Sequence, residues 1–285
     1  MKCLRSELYK ALVNPLFCLS LAIGTGIALI NVVENIQSVN AISHQMLMLS
    51  DNNVNIPVSY LGVSLFVRWI AVNGISLGNR IFYFLWPVFA AIPFGWSYSQ
   101  DKRSGLYTQL VVRSGTKTYF FSKYLAVFIS GGLAVSIPVL LNLLINATIC
   151  PYYIPNVMDF LVAVFDGSFM SKLFYTHPWV HGLVWCGVDF LFGGVTACLC
   201  FLVGSRLRLQ VMVMLTPFAF FLLLDGLYSI LRNTFIWNVE LSPLALASMV
   251  PGWPNPEWAV FSVLGILVVL SLSIGYWQMV RYELE

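Results

Sequence analysis

The chain has 285 residues, of which 59% are hydrophobic and only 9% charged, and its formal net charge is +3 at pH 7. Soluble domains carry about a quarter charged residues, and a soluble domain of this length could not bury so much apolar surface. The composition therefore excludes a soluble protein and indicates an integral membrane protein that crosses the bilayer several times.

Six windows of the sequence are long and apolar enough to cross a bilayer, which takes about 20 residues each. In chain order they are Leu16–Val33, Ile81–Tyr98, Ser122–Ile145, Gly182–Val203, Val211–Leu231 and Trp258–Val280. Each is a continuous apolar run without the alternation of a membrane β-barrel strand. The predicted fold is therefore all-α: a polytopic bundle of six transmembrane helices that forms a single domain over residues 1–285.

The distribution of basic residues predicts the orientation of this bundle. If the N-terminus is cytoplasmic, eleven Lys and Arg residues fall on the inner side and four on the outer side. Short cytoplasmic loops are enriched in Lys and Arg, so both termini are predicted to be cytoplasmic. In this arrangement, residues 1–14 form an amphipathic interfacial helix, 99–117 form a cytoplasmic insert, and 34–80 and 146–181 form outer loops.

The stretch 60–77 is apolar enough to suggest a further span, but Arg68 lies at its centre, where a charge is costly in lipid. A span here would also reverse every later loop and remove the charge bias. The favoured interpretation is a helix that lies on or dips into the outer face, with a true span as the alternative.

Several common motifs of nucleotide, zinc and redox chemistry are missing from the sequence. It has no GxxxxGK[ST] phosphate loop, no HExxH pair and no CxxC pair. His177 and His181 are spaced i, i+4, but no third ligand accompanies them, so no metal site is predicted. We therefore expect no catalytic residues and no cofactor in this chain.

The insert at 99–117 has a helical pattern of its own. Leu106, Tyr107, Leu110 and Val111 share one face of a short helix, while basic side chains take the other faces. Ser114-Gly115 is expected to end that helix and turn the chain into the third span. The alternative is a basic hairpin held by anionic lipid head groups.

These features together resemble the permease subunit of an ABC transporter of the type-2 exporter class. That class has six spans, both ends inside, and a cytoplasmic insert between spans two and three. Its insert carries an acidic residue, a Gly, an apolar helix, a turn with Ser and a basic residue, and an aromatic-Lys pair. The corresponding positions here are Asp101, Gly105, 106–112, 114–117, Tyr119 and Lys123, with "RSGTK" where the family usually has a turn proline.

The resemblance implies that the insert is a coupling helix that docks on a separate ABC ATPase subunit, which binds ATP and Mg. The implied contact residues are Asp101, Lys102, Arg103, Gly105, Leu106, Tyr107, Leu110 and Arg113, with Arg206 and Arg208 as a minor second contact.

The resemblance further implies a second permease, identical or related, in a plasma (bacterial inner) membrane. Membrane lipid is a predicted partner and nucleic acid is not. The cargo would be a hydrophobic or amphipathic substrate: a peptide antibiotic, a drug or a lipid-like molecule.

The alternative hypothesis is a stand-alone membrane-embedded enzyme or a secondary transporter. It requires polar residues that converge within the membrane, and only Asp189 and Asp225 qualify. Two acids at similar depth in the outer half are not expected to face lipid. They are predicted either to be neutral or hydrogen-bonded to a neighbouring helix, or to face the transport path, with Arg80 or Arg232 as possible ion-pair partners.

Overall fold

The computed structural model describes residues 2–51, 64–155, 164–204, 209–235, 238–249 and 253–283. Within these ranges the protein contains twelve helices and no strand, which confirms the all-α prediction. In chain order they are α1 (Lys2–Leu12), α2 (Pro15–Asp51), α3 (Leu65–Arg68), α4 (Leu77–Ala91), α5 (Ser97–Arg103), α6 (Leu106–Ser114), α7 (Thr116–Asn146), α8 (Ser171–Thr176), α9 (Pro178–Val203), α10 (Gln210–Phe235), α11 (Pro243–Leu246) and α12 (Glu257–Glu283).

Five of the described helices contain segments long and apolar enough to cross a membrane. These segments are Pro15–Met48, Thr116–Asn146, Pro178–Val203, Gln210–Phe235 and Glu257–Trp277. The protein is therefore a multi-pass membrane protein. We call the end of the bundle that carries α1, α5 and α6 the insert side, and the opposite end of α7 the cap side.

The second predicted span, Ile81–Tyr98, differs from the others because it is divided. Helix α4 ends at Ala91, the backbone turns through 92–96, and α5 begins at Ser97. Pro93 lies in this turn and has no N–H to continue the helical ladder, while its carbonyl accepts a hydrogen bond from the Asn14 side chain at 3.2 Å. At ~1.5 Å per residue, α4 alone is shorter than the ~30 Å hydrocarbon layer.

The first part of the segment 34–80, which was predicted as an outer loop, is helical. Helix α2 continues as a single helix to Asp51, so it is longer than a bilayer requires. On the opposite edge, α4 already starts at Leu77. The other predicted outer loop, 146–181, overlaps α9, which starts at Pro178.

The described part of the segment 60–77 contains no helix long enough to span a membrane, so the alternative of a true span was wrong there; residues 60–63 lie outside the described ranges. A helix that lies on or dips into the outer face stays a prediction. Only Leu65–Arg68 is helical, followed by turns up to α4. Arg68 and the apolar side chains from Leu65 to Val72 are all buried. The segment therefore packs into the bundle on the cap side. Burial lowers the pKa of the Arg68 guanidinium from its ordinary value.

Asparagine side chains supply the hydrogen bonds that this non-helical buried backbone needs. Asn35 of α2 donates to the carbonyl of Arg68 at 2.8 Å, and the N–H of Ile70 donates to the Asn142 side chain of α7 at 2.8 Å. Asn35 also donates to Asn146 at 2.8 Å, so α2 and α7 are joined directly. Irregular backbone within a membrane protein is tolerated only where protein or water satisfies its polar groups. We call Asn31, Asn35, Asn142 and Asn146 the asparagine ladder.

The segments on the cap side also contact one another. The N–H of Leu65 donates to the carbonyl of Pro151 at 3.1 Å, which joins the two predicted outer loops. His181 near the start of α9 lies 3.0 Å from the carbonyl of Phe169, and Glu257 at the start of α12 accepts from the N–H of Met170 at 2.9 Å. These bonds tie the described loops to the ends of the long helices.

The orientation of the bundle stays a prediction, and cysteine labelling tests it. In a variant without the six native cysteines, we expect Asp166→Cys on the cap side to react with a membrane-impermeant maleimide in intact cells. Thr108→Cys on the insert side should react only after permeabilisation. Both positions are exposed. Labelling of Thr108→Cys from outside intact cells would reverse the predicted topology.

Candidate functional site

The insert consists of two short helices, α5 and α6, that are separated by glycine. Gly105 precedes α6 with φ +74°, and Gly115 follows it with φ +79°. Positive φ is unfavourable for residues with a Cβ, so glycine is needed at both turns. The predicted turn at Ser114-Gly115 is present, and α7 begins directly after it at Thr116.

A buried charge cluster anchors this insert to the bundle. Lys123 of α7 forms ion pairs with Asp101 of α5 and, at 3.7 Å, with Glu7 of α1. The Tyr119 hydroxyl donates to Asp101 at 2.6 Å, and Lys10 pairs with Glu7 at 2.8 Å. The side chain of Lys123 is only 1% exposed. We call Glu7, Lys10, Asp101, Tyr119 and Lys123 the charge cluster.

Pairing is what permits these charges to be buried. Removing an ammonium or carboxylate from water costs several kcal/mol, which only close opposite charges and hydrogen bonds can offset. Lys10 lies at the edge of the cluster, and its pKa is raised from the ordinary value. Burial alone would lower this pKa, but the hydrogen bond to Glu7 and the negative charges of Glu7 and Asp101 raise it by more. The cluster therefore joins α1, α5 and α7 at one point.

Asp101 was predicted to contact a partner, but the structure turns it toward the bundle. Its carboxylate is engaged by Lys123 and Tyr119 and is largely buried. Its neighbours Lys102 and Arg103 are exposed at the end of α5. Asp101 therefore positions the insert, and the basic pair borders its outward surface.

The apolar face predicted on α6 is divided in the same way. Tyr107, Leu110 and Val111 are partly buried and pack on the protein's own apolar cluster. The Tyr107 ring lies edge-on to Tyr98 and Tyr119, at centroid distances of 5.8 and 5.5 Å. Periodicity groups Tyr107 and Leu110 on one face, and that face is partly covered by the bundle. Their contact with an ATPase stays a prediction.

A different part of α6 is available to a partner. Val112 is 81% exposed and Leu106 is 46% exposed, and Thr108, Gln109 and Arg113 are exposed as well. We call Leu106, Thr108, Gln109, Val112 and Arg113 the outward face of α6. Arg206 and Arg208, the predicted second contact, lie outside the described residues.

Asp189 is completely buried in α9, where one carboxylate oxygen accepts a hydrogen bond from the Tyr83 hydroxyl of α4 at 3.1 Å. Asp225 in α10 accepts a hydrogen bond from Ser242 at 2.6 Å. Asp189 thus bonds to a neighbouring helix, as one of the two predicted alternatives has it, whereas the partner of Asp225 lies in the non-helical stretch before α11. Neither acid forms an ion pair with Arg80 or Arg232, all four residues lying within the described ranges.

The surroundings of Asp225 hold a second acid. The N–H of Ser242 donates to Glu240 at 3.0 Å, so one serine bonds to both carboxylates. Burial raises the pKa of Glu240, the Ser242 N–H acts against that rise, and the charge of Asp225 adds to it. The Arg232 guanidinium lies 4.4 Å from the centre of the Trp253 ring.

An apolar cavity of about 490 Å³ lies between α10 and α12, and neither Asp225 nor Glu240 lines it. Its walls are almost entirely hydrocarbon and aromatic, and they include Leu241 and Pro243, which flank Ser242. Pockets for drug-sized molecules measure about 300–1,000 Å³, so this cavity is large enough for an organic ligand. Asp225 could be identified from the sequence but the cavity could not, because no sequence pattern shows which faces of two helices leave a gap.

Metal ligands do not come together among the described residues, where no group of three or more His, Cys, Asp and Glu side chains is placed to hold an ion. His181, one of the two histidines with helical spacing, is directed at the Phe169 carbonyl instead.

Comparison with known proteins yields no match: no family model, no curated protein and no solved structure is significantly similar to the chain.

Proposed function

We propose that this protein is the permease subunit of an ATP-driven ABC exporter of the type-2 class. The observation that supports this best is the insert: a short helix with an exposed face, placed between apolar segments and anchored to the bundle by the buried charge cluster. The outward face of α6 combines two exposed apolar side chains, Leu106 and Val112, with Arg113. Such a surface fits a partner with an apolar groove and an acidic rim.

In this proposal, ATP and Mg bind to a separate ATPase subunit, and this chain has no ATP site or catalytic residue of its own. Movement of the ATPase would displace α6 and, through Asp101 and Lys123, act on α1 and α7. Helix α7 packs extensively on α2 and α9, so a displacement of its insert end would reach much of the bundle. A second permease, identical or related, would complete the transport path in a bacterial inner membrane. Each chain would have six spans and cytoplasmic termini. Five of these spans would be the long apolar helices, and the remaining one, second in chain order, would be the divided segment of α4 and α5.

The docking surface can be tested with Val112→Asp. We expect this variant to fold, because Val112 is 81% exposed, but to lose at least about tenfold in affinity for the ATPase, because docking would bury an unpaired carboxylate. The measurement is copurification of a soluble ATPase with the permease, quantified per permease, together with a test of whether the adjacent reading frame encodes such a subunit.

Val13→Asp is the matched control, because Val13 is also well exposed, at 61%, but lies outside the insert. It should retain the ATPase. Leu110→Asp would not be a clean test, since Leu110 packs on the bundle itself. Retention of the ATPase by Val112→Asp at the level of the control would contradict docking through α6.

A further inference from the structure

A polar cavity of about 280 Å³ lies on the cap side of the bundle, between α2 and the turns that precede α4. Among the described residues that line it, Glu34 of α2 supplies the single carboxylate. This carboxylate accepts hydrogen bonds from the Ser76 hydroxyl and, at 3.1 Å, from the N–H of Leu77. Because Ser76 lines the cavity too, these bonds hold the charged end of Glu34 at the cavity wall.

Glu34 can accept further hydrogen bonds and has no cation of its own. A carboxylate offers about four lone-pair positions, and two are occupied here. Glu34 forms no ion pair with any residue that the structure describes. Arg68 also contributes to the wall, and Asn35 donates to its carbonyl. The guanidinium of Arg68 lies within electrostatic reach of Cys150 and Tyr153, neither of which lines the cavity. The cavity therefore presents the negative charge of Glu34 to a ligand.

The cavity lies at the level where lipid head groups meet the bundle. Glu34 follows Pro15, the start of the apolar part of α2, by about 28 Å at ~1.5 Å per residue. On α7, Lys123 of the charge cluster and Asn142 of the asparagine ladder are separated by about the same distance. The ladder also contains the lining residue Asn35. Since the hydrocarbon layer is about 30 Å thick, both distances place the cavity at its cap-side edge.

Exposed apolar side chains lead from the cavity toward the middle of the membrane. Leu29, Ile30 and Val33 occupy the turns of α2 just before Glu34, and all three are exposed. Ile75, in the cavity wall, is exposed as well. An acyl chain can therefore pack along α2 while its head group enters the cavity.

We infer that this cavity binds the head group of a phosphatidylethanolamine lipid, whose primary ammonium donates to Glu34. An ammonium group can donate three hydrogen bonds, and those to a carboxylate are among the strongest in proteins. The quaternary ammonium of phosphatidylcholine has no N–H to donate. A metal ion would also meet the charge of Glu34, but it would gain nothing from the apolar side chains of α2.

Native mass spectrometry of the purified full chain tests the inference. The protein is offered equal amounts of dioleoyl-phosphatidylethanolamine and dioleoyl-phosphatidylcholine, which differ only in their head groups. We expect the first to exceed the second among bound lipids at least about tenfold, because choline cannot form the charged hydrogen bonds. Glu34→Gln keeps the side-chain shape but removes the charge, and should abolish most of this preference. Asp166→Asn, an exposed acid elsewhere on the cap side, is the matched control and should keep it.

A second pair of variants keeps the test informative if Glu34→Gln fails to fold. Gln37 is exposed, lines the cavity and lies one turn after Glu34 on α2. Gln37→Lys places an ammonium of the protein beside Glu34, since side chains at i and i+3 are neighbours on a helix. It should abolish the preference for phosphatidylethanolamine, whereas Gln37→Met, of similar length but without charge, should retain it.

Equal binding of the two lipids by the parent protein would overturn the inference, and so would an unchanged preference in Gln37→Lys. Displacement of the bound lipid by an equal concentration of soluble phosphoethanolamine would also overturn it, because the site would then serve a soluble ammonium compound. None of these results depends on an ATPase, so a failure here is distinct from a failure of the docking test.

Discussion

Replacing Lys123 by methionine is expected to destabilise the folded protein by about 3–5 kcal/mol, the usual cost of leaving a buried charge without its partner. Methionine matches the length of the lysine side chain but removes its charge. The buried carboxylates of Glu7 and Asp101 would lose their shared cation. The effect can be measured as the shift in unfolding free energy in detergent micelles.

Lys10→Met is the control for this experiment. Lys10 pairs with the same Glu7 at 2.8 Å, but its side chain is 48% exposed. Because Lys10 is half in water whereas Lys123 is buried, this variant should destabilise the protein less than Lys123→Met does. If both variants lowered stability equally, the charge cluster would not be the anchor we describe.

A partial rescue should follow from neutralising the remaining partners. Combining Lys123→Met with Asp101→Asn and Glu7→Gln removes the orphaned charges while it retains side-chain shape. The three residues are in contact, so their effects should not add.

The second large effect is expected for Gly131→Leu, at the contact of α7 with α9. A Cβ atom at Gly131 would lie 2.3 Å from the Cβ of Ala197 and 2.9 Å from the carbonyl oxygens of Ala90 and Gly193. Helix backbones approach closely in membranes only where small residues permit it. The helices would have to separate, and we expect a loss above about 3 kcal/mol, beyond the usual range for overpacking. The yield of monodisperse protein and its Tm report this loss.

Gly187→Leu on α9 provides the comparison, because a Cβ there would meet nothing within 4 Å. This variant should be extracted and melt like the parent. A similar loss from both substitutions would contradict this explanation, because leucine also favours a helix more than glycine does and only the α7–α9 contact distinguishes the two positions.

The long helices could be predicted from the sequence, but the break in the second span could not be placed. Composition and continuous apolar runs require helices, because lipid offers the backbone no hydrogen bonds. Pro87 and Pro93 both lie in the second predicted span, yet only Pro93 lies at a break; Pro87 remains inside α4. The difference depends on neighbours, since Asn14 bonds to the carbonyl of Pro93.

The asparagine ladder has a signal in the sequence. Asn31 and Asn35, like Asn142 and Asn146, are spaced i, i+4 within apolar helices, which places each pair on one face. Amides at such positions need partners within the protein. That their partner would be the backbone of 64–73 could not be known, because this contact is long-range.

The sequence by itself determined that this is a helical protein of the membrane, where its long helices lie, and that glycine turns delimit a short amphipathic helix. These are local properties, set by apolar length, by periodicity and by backbone freedom. Only the tertiary structure decided which face of α6 is covered, that Asp101 is held by Lys123, and that Glu7 reaches the same lysine. Periodicity shows which side chains share a face, but not what packs against that face; burial and pairing of charge depend on neighbours far away in the chain.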